Sequence, residues 1–262
     1  MHDIGRSFAR VAGLGVGSIE LRRERLRVPY WPAEAAGLRI AVVADLHTGG
    51  PQVDEARLEE VVACVNREDV DVVALLGDYL DPDVAFGDWI SPEAIADRLG
   101  GLRARLGRFA VLGNHDWGHA GPRMPAALAG AGITVLENDA VRTDAGVWIA
   151  GLGDAIKRDA DVEGTLEQVP PGQPVVLLTH NPDVFPRVPA RVALTISGHT
   201  HGAQVDIPFL RDRLTPSRFG ARYTGGHIVE HGHHLYASDG IGTSRLPVRF
   251  RAKPSIPVLE LR

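Results

Sequence analysis

Five short apolar runs in this 262-residue chain end in side chains that can hold metal ions. Leu38–Ala44 runs into Asp45-Leu46-His47, and Asp71–Leu76 into Gly77-Asp78-Tyr79-Leu80-Asp81. Phe109–Leu112 runs into Gly113-Asn114-His115-Asp116. Val175–Thr179 ends in His180-Asn181, and Val192–Ser197 in Gly198-His199-Thr200-His201-Gly202. On an extended segment His199 and His201 point the same way, because side chains alternate with a period of two. Carboxylates and imidazoles gathered out of water repel or stay unsatisfied unless something cationic pairs them, and a metal does that. Each motif alone has a plainer reading: D-x-H as a cap or turn, G-D as a turn, N-H-D as a hydrogen-bonded loop. Five such strand ends in one chain make coincidence the poorer explanation.

The elements needed to gather these residues are legible as patterns. Apolar runs recur at Leu38–Ala44, Asp71–Leu76, Phe109–Leu112, Ile133–Leu136, Val147–Ala150, Val175–Thr179, Val192–Ser197, Gln204–Ile207, Leu235–Ser238 and Pro257–Leu261. Most lack clean alternation, which predicts strands buried on both faces. In Val53–Arg67, Leu58, Val61, Val62 and Val65 fall on one helical face. Ser91-Pro92-Glu93 opens another helix with a cap, a first-turn proline and an acid at the positive dipole end. Met124–Ala131 is a third. Alternating strands and helices predict an α/β unit with parallel strands in the first half, and ligands then collect outside the strands' carboxyl ends. After about Gly198 strands and turns dominate. No Pro/Gly/Ser linker divides the chain, so residues 37–262 are read as one domain. Residues 1–36 are read as a loosely structured N-terminal arm or an edge strand at Glu24–Pro29.

Composition excludes several classes. Hydrophobic residues make up 44% and charged residues 23%, values of a globular chain rather than a disordered one. No apolar run nears the roughly 20 residues that span a bilayer. Val11–Ile19 is too short, and the basic cluster Arg22, Arg23, Arg25 and Arg27 follows it, whereas a secretory signal puts its charge first. The single cysteine, Cys64, excludes an intramolecular disulfide framework and a thiolate zinc site, and its apolar helical neighbours predict burial. The net charge of −5 gives no nucleic-acid footprint. From Arg211 to Arg262, however, nine Lys/Arg stand against four Asp/Glu, either a solvated surface or a positive rim for an anionic substrate or membrane. A cytoplasmic protein is expected, with peripheral membrane contact as the variant reading. Nothing in the sequence bears on oligomeric state.

The ordered set D-x-H, G-D-x-x-D, G-N-H-D, strand-end His and G-H-x-H resembles the signature of the calcineurin-like binuclear metallophosphoesterases. All five blocks occur in order from Asp45 to His201. The surroundings resemble the bacterial branch of membrane-associated or Tat-exported phosphoesterases, including UDP-2,3-diacylglucosamine hydrolase-like enzymes, on the strength of Leu38–Asp45, Gly198–Gln204 and Gly240-Ile241-Gly242-Thr243-Ser244 with Pro247. The likeness extends over about residues 27–262. Where relatives often read Pro-Glu-Ile near the C-terminus, this chain has Pro254-Ser255-Ile256. The fold it implies is α/β, a four-layer αββα sandwich of two mixed β-sheets flanked by helices.

The resemblance also implies a site. One metal would be held by Asp45, His47 and His201, the other by Asn114, His180 and His199, with Asp78 bridging. A carboxylate, amide and imidazole donor set favours manganese, iron or zinc, as divalent or trivalent ions. Two divalent ions outweigh two carboxylates and a bridging hydroxide, so attraction of phosphate comes from the metals rather than from a chain of net charge −5. In the implied reaction the bridging hydroxide attacks phosphorus. His115 acts as general acid and Asp116 fixes its tautomer. Asp81 supports a ligand or caps a loop. The substrate would be a small or lipid-linked phosphodiester, pyrophosphate or phosphomonoester. The alternative is a non-catalytic scaffold on the same fold, which the intact ligand set and His115 disfavour. His119 and Arg245 could line the pocket; His227, His231, His233 and His234 read as surface or strand residues. Specificity is expected in loops Leu80–Ile90, Asp154–Gln168 and Pro208–Gly226, where Phe86 and Trp89 either line an apolar subsite or cover the core.

Overall fold

A strand whose two faces both meet apolar neighbours needs no polar alternation, and Val42–Val43 and Val72–Val73 supply that pattern. The computed structural model describes residues 17–85 and 87–262; Phe86 and the first part of Val11–Ile19 lie outside the described residues. One six-stranded sheet holds β1 (Glu20–Leu26), β2 (Arg39–Val43), β3 (Val72–Leu75), β4 (Gly107–Ala110), β5 (Thr134–Val135) and β12 (Ser255–Leu261), in the order β1-β12-β2-β3-β4-β5. The second holds β6 (Asp139–Arg142), β7 (Trp148–Gly151), β8 (Val175–Thr179), β9 (Leu194–Ser197), β10 (Gly226–Glu230) and β11 (His233–Ala237), in the order β10-β11-β9-β8-β7-β6. β2 to β5 run parallel, as do β7, β8, β9 and β11; β12 runs antiparallel to β2, β10 to β11 and β6 to β7. Both sheets are therefore mixed.

Alternate residues of each strand enter different layers. Ile40, Val42, Val72 and Ala74 face Val176, Leu178 and Ile196 between the sheets. Ala41, Val43, Val73 and Leu75 face outward, against helices α1 (Glu55–Asn66), α2 (Pro92–Leu99) and α4 (Arg123–Gly130). Between α2 and α4 lies α3 (Asn114–His119), one turn and a half that begins in the G-N-H-D block. On the other side Val175 and Leu177 meet Val162 and Leu166 of α5 (Val162–Glu167). The result is the expected four-layer sandwich. Asp54 caps α1 by accepting from the Arg57 N–H, and Ser91 caps α2 by accepting from the Ala94 N–H.

Three local expectations are corrected. The edge strand lies at Glu20–Leu26, not Glu24–Pro29; it pairs with β12 until Leu26 meets Leu261, and Pro29 has no N–H to continue a ladder. Gln204–Ile207 forms only one bridge, Val205 to Phe250, because left-handed residues at His201, Gly202 and Ala203 turn the chain away from the sheet. Cys64 is half-buried, with its Sγ accepting from Arg67 at 3.1 Å. Leu178 sits in the inter-sheet core two residues before His180. Leu178→Ala should cost about 2–5 kcal/mol of stability by loss of transfer energy and a residual cavity. Urea unfolding with an unchanged midpoint would contradict this packing.

Candidate metal centre

Three of the strands that carry proposed ligands, β2, β3 and β9, end by reversing their backbone hand. Asp45, His47, Asp78, His199 and His201 all adopt left-handed φ, between 46° and 71°. Such φ values are costly for residues with a Cβ and persist only where the surroundings over-determine them. Here the turns swing side chains from separate strands back into one buried cluster. Room for it comes from missing side chains. A Cβ on Gly113 would overlap Asp78 Oδ1, and one on Gly240 would press within 2.8 Å of Asp45 Cβ and Oδ2.

The rings around Asp78 are oriented from behind. His47 Nδ1 faces Asp81 Oδ2 at 2.9 Å, and His180 Nδ1 faces the Leu76 carbonyl at 2.8 Å. Both partners only accept, so each Nδ1 carries a proton and each Nε2 is the ring atom turned into the site. These Nε2 atoms face the same atom: Asp78 Oδ2 lies 3.6 Å from His47 Nε2 and 3.2 Å from His180 Nε2. His201 Nε2 lies 3.0 Å from His47 Nε2, and His199 Nδ1 lies 3.0 Å from His180 Nε2. Two groups of donor atoms result, Asp45-His47-His201 and Asp78-His180-His199, each within 4.8 Å of one another. Asp45 Oδ1 accepts the His199 N–H at 2.8 Å, while Asp45 Oδ2 and Asn114 Oδ1 are buried without a protein partner.

Orphaned acceptors and lone pairs converging on a carboxylate fit a pair of cations and fit little else. The ionisation pattern agrees. Burial pulls His180 down, but the adjacent Asp78 outweighs it and pushes the ring up to about 10. Burial raises Asp78, yet His180 and His47 hold it well below the usual carboxylate range. His199 falls to about 3 through burial and the neighbouring His180. Burial and His47 likewise push His201 well down, so both rings keep free lone pairs.

One assignment is corrected. Asp116 does not orient His115. Its carboxylate accepts the N–H groups of Asp78 and Tyr79 at 2.8 Å and of Gly113 at 2.9 Å, clamping the loop after β3 to the start of α3. Burial and nearby Asp78 raise Asp116 to about 7. Consecutive helical residues do not face each other, and an acid in the first turn folds back onto the free N–H groups. Asp81 takes the place instead. Its Oδ2 lies 3.2 Å from His115 Nδ1 as well as 2.9 Å from His47 Nδ1. The buried Arg249, unremarked in the sequence, binds the carbonyls of His201 at 3.2 Å, Asp239 at 2.8 Å and Gly242 at 2.9 Å, and so braces the final ligand turn. Its only sequence signal was a basic residue after the glycine-rich turn.

Other candidates fall outside the cluster. His119 Nε2 lies 3.6 Å from Asp81 and 3.5 Å from Asp83. His227 and His234 pair with each other at 3.0 Å across the β10–β11 hairpin. Trp89 is exposed. A cavity of about 550 Å³ opens over the centre. Asp78, Asn114, His115, His199 and His201 form its polar part; Ile156, Val205, Leu214 and Leu246 form an apolar wall, with Arg245 beside them.

Comparison with known proteins places this arrangement. Residues 38–203 match the family model described as calcineurin-like phosphoesterase. The chain is 32% identical to the uncharacterized metallophosphoesterase YkuE of Bacillus subtilis, covering 93% of this chain and 86% of that one. It is 30% identical to phosphodiesterase YaeI of Escherichia coli, covering 94% and 89%. The 5'-nucleotidase precursor from Thermus thermophilus shares the fold at 13% identity, with a TM-score of 0.50 over 85% of this chain and 54% of that one. By its residues, its layers and its relatives, the chain belongs to the calcineurin-like phosphoesterases and is a metal-dependent hydrolase of phosphoric esters.

Proposed function

We propose that this chain hydrolyses a phosphodiester, pyrophosphate or phosphomonoester at a two-metal centre. Asp45, His47 and His201 would hold one ion, Asn114, His180 and His199 the other, and Asp78 would bridge them. The observation that carries this reading is Asp78 Oδ2 set between the Nε2 atoms of His47 and His180. When bound, two such ions supply a nucleophile from water at neutral pH and neutralise charge on the phosphoryl oxygens. Manganese, iron and zinc suit these donors.

The chain's own residues do the rest. Asn114 and His115 line the cavity. His115 Nδ1 is committed to Asp81, which leaves Nε2 for a leaving oxygen. Burial lowers His115, but the Asp81 hydrogen bond and the Asp78 charge carry its pKa above the ordinary value, the direction a general acid needs. Asp81 positions both this ring and His47. Asp116 holds the loop from which Asp78 projects.

A panel of bis-p-nitrophenyl phosphate, p-nitrophenyl phosphate, cyclic nucleotides and UDP-linked lipids, run with Mn²⁺, Zn²⁺ and Mg²⁺, tests the reading; absence of turnover in every combination would refute it. Asp78→Asn should lower occupancy of both ions together, since one carboxylate serves each, and metal analysis returning two full equivalents would remove the bridge. His115→Ala should retain the metals and lower turnover by about 10²–10⁴ on a substrate with a poor leaving group, the usual range for a lost general acid. Turnover near wild type on that substrate would take His115 out of the role.

A further inference from the structure

Four of the chain's eleven histidines, His227, His231, His233 and His234, fall within one short stretch, and none of them belongs to the centre described above. Short histidine-rich tracts are a compositional mark of metal binding. The fold sorts the four. His231 and Gly232 both take left-handed φ, 51° and 80°, and form the two-residue turn between β10 and β11. That turn fixes the register: His227 stands opposite Tyr236, and Val229 opposite His234. Side chains alternate along a strand, so His227, His234 and Tyr236 share one face of the hairpin, while His233 stands on the other against Phe185. The shared face is the inner one, since Tyr236 belongs to the core between the sheets. There His227 Nε2 meets His234 Nδ1 at 3.0 Å, with both rings half-buried.

Three features set this pair apart from two histidines that happen to touch. The first is spacing. His47 meets His201 at 3.0 Å and His180 meets His199 at 3.0 Å, so the hairpin repeats the nitrogen separation of the ligand pairs in the proposed centre. Its ring centroids are 5.0 Å apart, against 4.7 and 4.8 Å there. The second is the state of the rings. Burial lowers His227 although Glu24 raises it, and burial together with His227 lowers His234, so both rings are neutral near pH 7 and each has a lone pair to give. The third is charge. The Glu24 carboxylate, which accepts the Tyr236 hydroxyl at 2.6 Å, supplies a negative charge on the same face. When the rings are alone, the N–H of one can donate to the other; an ion displaces that proton and takes both lone pairs.

We infer that His227 Nε2 and His234 Nδ1 form a separate site for one transition-metal ion of the copper or nickel type, with its remaining positions open to water. Two nitrogens each about 2.0–2.1 Å from one ion stand about 2.9 Å apart across a right angle and about 3.3 Å apart across a tetrahedral one. The separation in the hairpin fits the right angle, which is the preference of Cu²⁺ and Ni²⁺ rather than of tetrahedral Zn²⁺. Bound there, the ion would tie β10, the edge strand of its sheet, to β11 through side chains as well as through the ladder. The site shares no residue with the proposed two-metal centre and does not rest on the phosphoesterase reading.

Equilibrium dialysis of the full chain against Ni²⁺, followed by metal analysis, tests the site in wild type, H227Q, H234Q and H227Q/H234Q. Wild type should hold one equivalent more than the double variant. Each single variant should bind that equivalent at least about tenfold more weakly, because one imidazole has lost its chelating partner. Asp78→Asn, which disturbs the proposed centre, should leave the extra equivalent in place. Neither histidine lines the cavity, so turnover of bis-p-nitrophenyl phosphate and the circular dichroism spectrum should be the same in wild type and double variant. With Cu²⁺, the difference in electron paramagnetic resonance between the two should carry splitting from two imidazole nitrogens. Equal metal content in wild type and double variant overturns the site and leaves the contact as a hydrogen bond. A single variant that keeps the extra equivalent at full affinity overturns the two-ring site, and the single variants carry the test should the double variant fail to fold. Loss of the extra equivalent in Asp78→Asn also overturns it, by assigning that ion to the other centre.

Discussion

A carboxylate oxygen set between two buried imidazoles is the constraint from which the rest of this molecule follows. Asp78 Oδ2 cannot sit between His47 and His180 in a space buried from water without positive charge in the gap. Protons can supply it, and His180 accordingly rises to about 10. Protons cannot also satisfy Asp45 Oδ2 and Asn114 Oδ1 while His199 and His201 are driven toward neutrality. Two cations resolve all of these frustrations at once. The unhappiness of the residues without them is therefore the signal of what they are for.

Assembling such a cluster costs backbone energy. Five of the site residues stand in left-handed conformations, each less favourable than ordinary strand geometry by about 1–3 kcal/mol. The compensation lies outside the site. The strands that deliver them are buried on both faces, with Val42, Val72, Ala74, Leu177 and Ile196 fully removed from water. Rigid neighbours cannot follow a turn that tries to relax. Asp116 adds a polar clamp, spending both carboxylate oxygens on the N–H groups at the two loops that must stay in register. Gly113 and Gly240 leave the space into which Asp78 and Asp45 turn.

How much of this the sequence revealed depended on which physical interaction governed each feature. Strand existence was legible because burial on two faces writes itself as unbroken Val, Ile and Leu, as in Val175–Thr179, where expectation and structure coincide. The separate stretches bearing Asp45, Asp78, Asn114, His180, His199 and His201 were legible because each follows such a run. What failed was inference from adjacency. Asp116 follows His115 in the chain, yet helical geometry turns it toward backbone amides, and the carboxylate that meets His115 comes from Asp81 at the end of another strand. Gln204–Ile207 has strand composition, but the left-handed residues before it redirect the chain. Arg249 acts through carbonyls of residues far from it in sequence, which no local pattern encodes.

Asp81 shows why the metal ligands and the acid cannot be treated as separate machinery. One oxygen of this buried carboxylate meets Nδ1 of His47 and Nδ1 of His115. Burial raises it, but the hydrogen bonds from these two rings outweigh that and hold it below the ordinary carboxylate range. It therefore remains an anion that fixes both tautomers. Since each ring is pinned by the same atom, a single side chain relates the Nε2 proposed to hold a metal to the Nε2 proposed to carry a proton. Phosphoryl transfer needs the attacking and leaving oxygens on opposite sides of phosphorus at once. In the proposed reaction, a shared anchor for His47 and His115 would hold ligand and acid in a fixed relation before any substrate binds, a form of preorganisation that costs nothing at the moment of reaction.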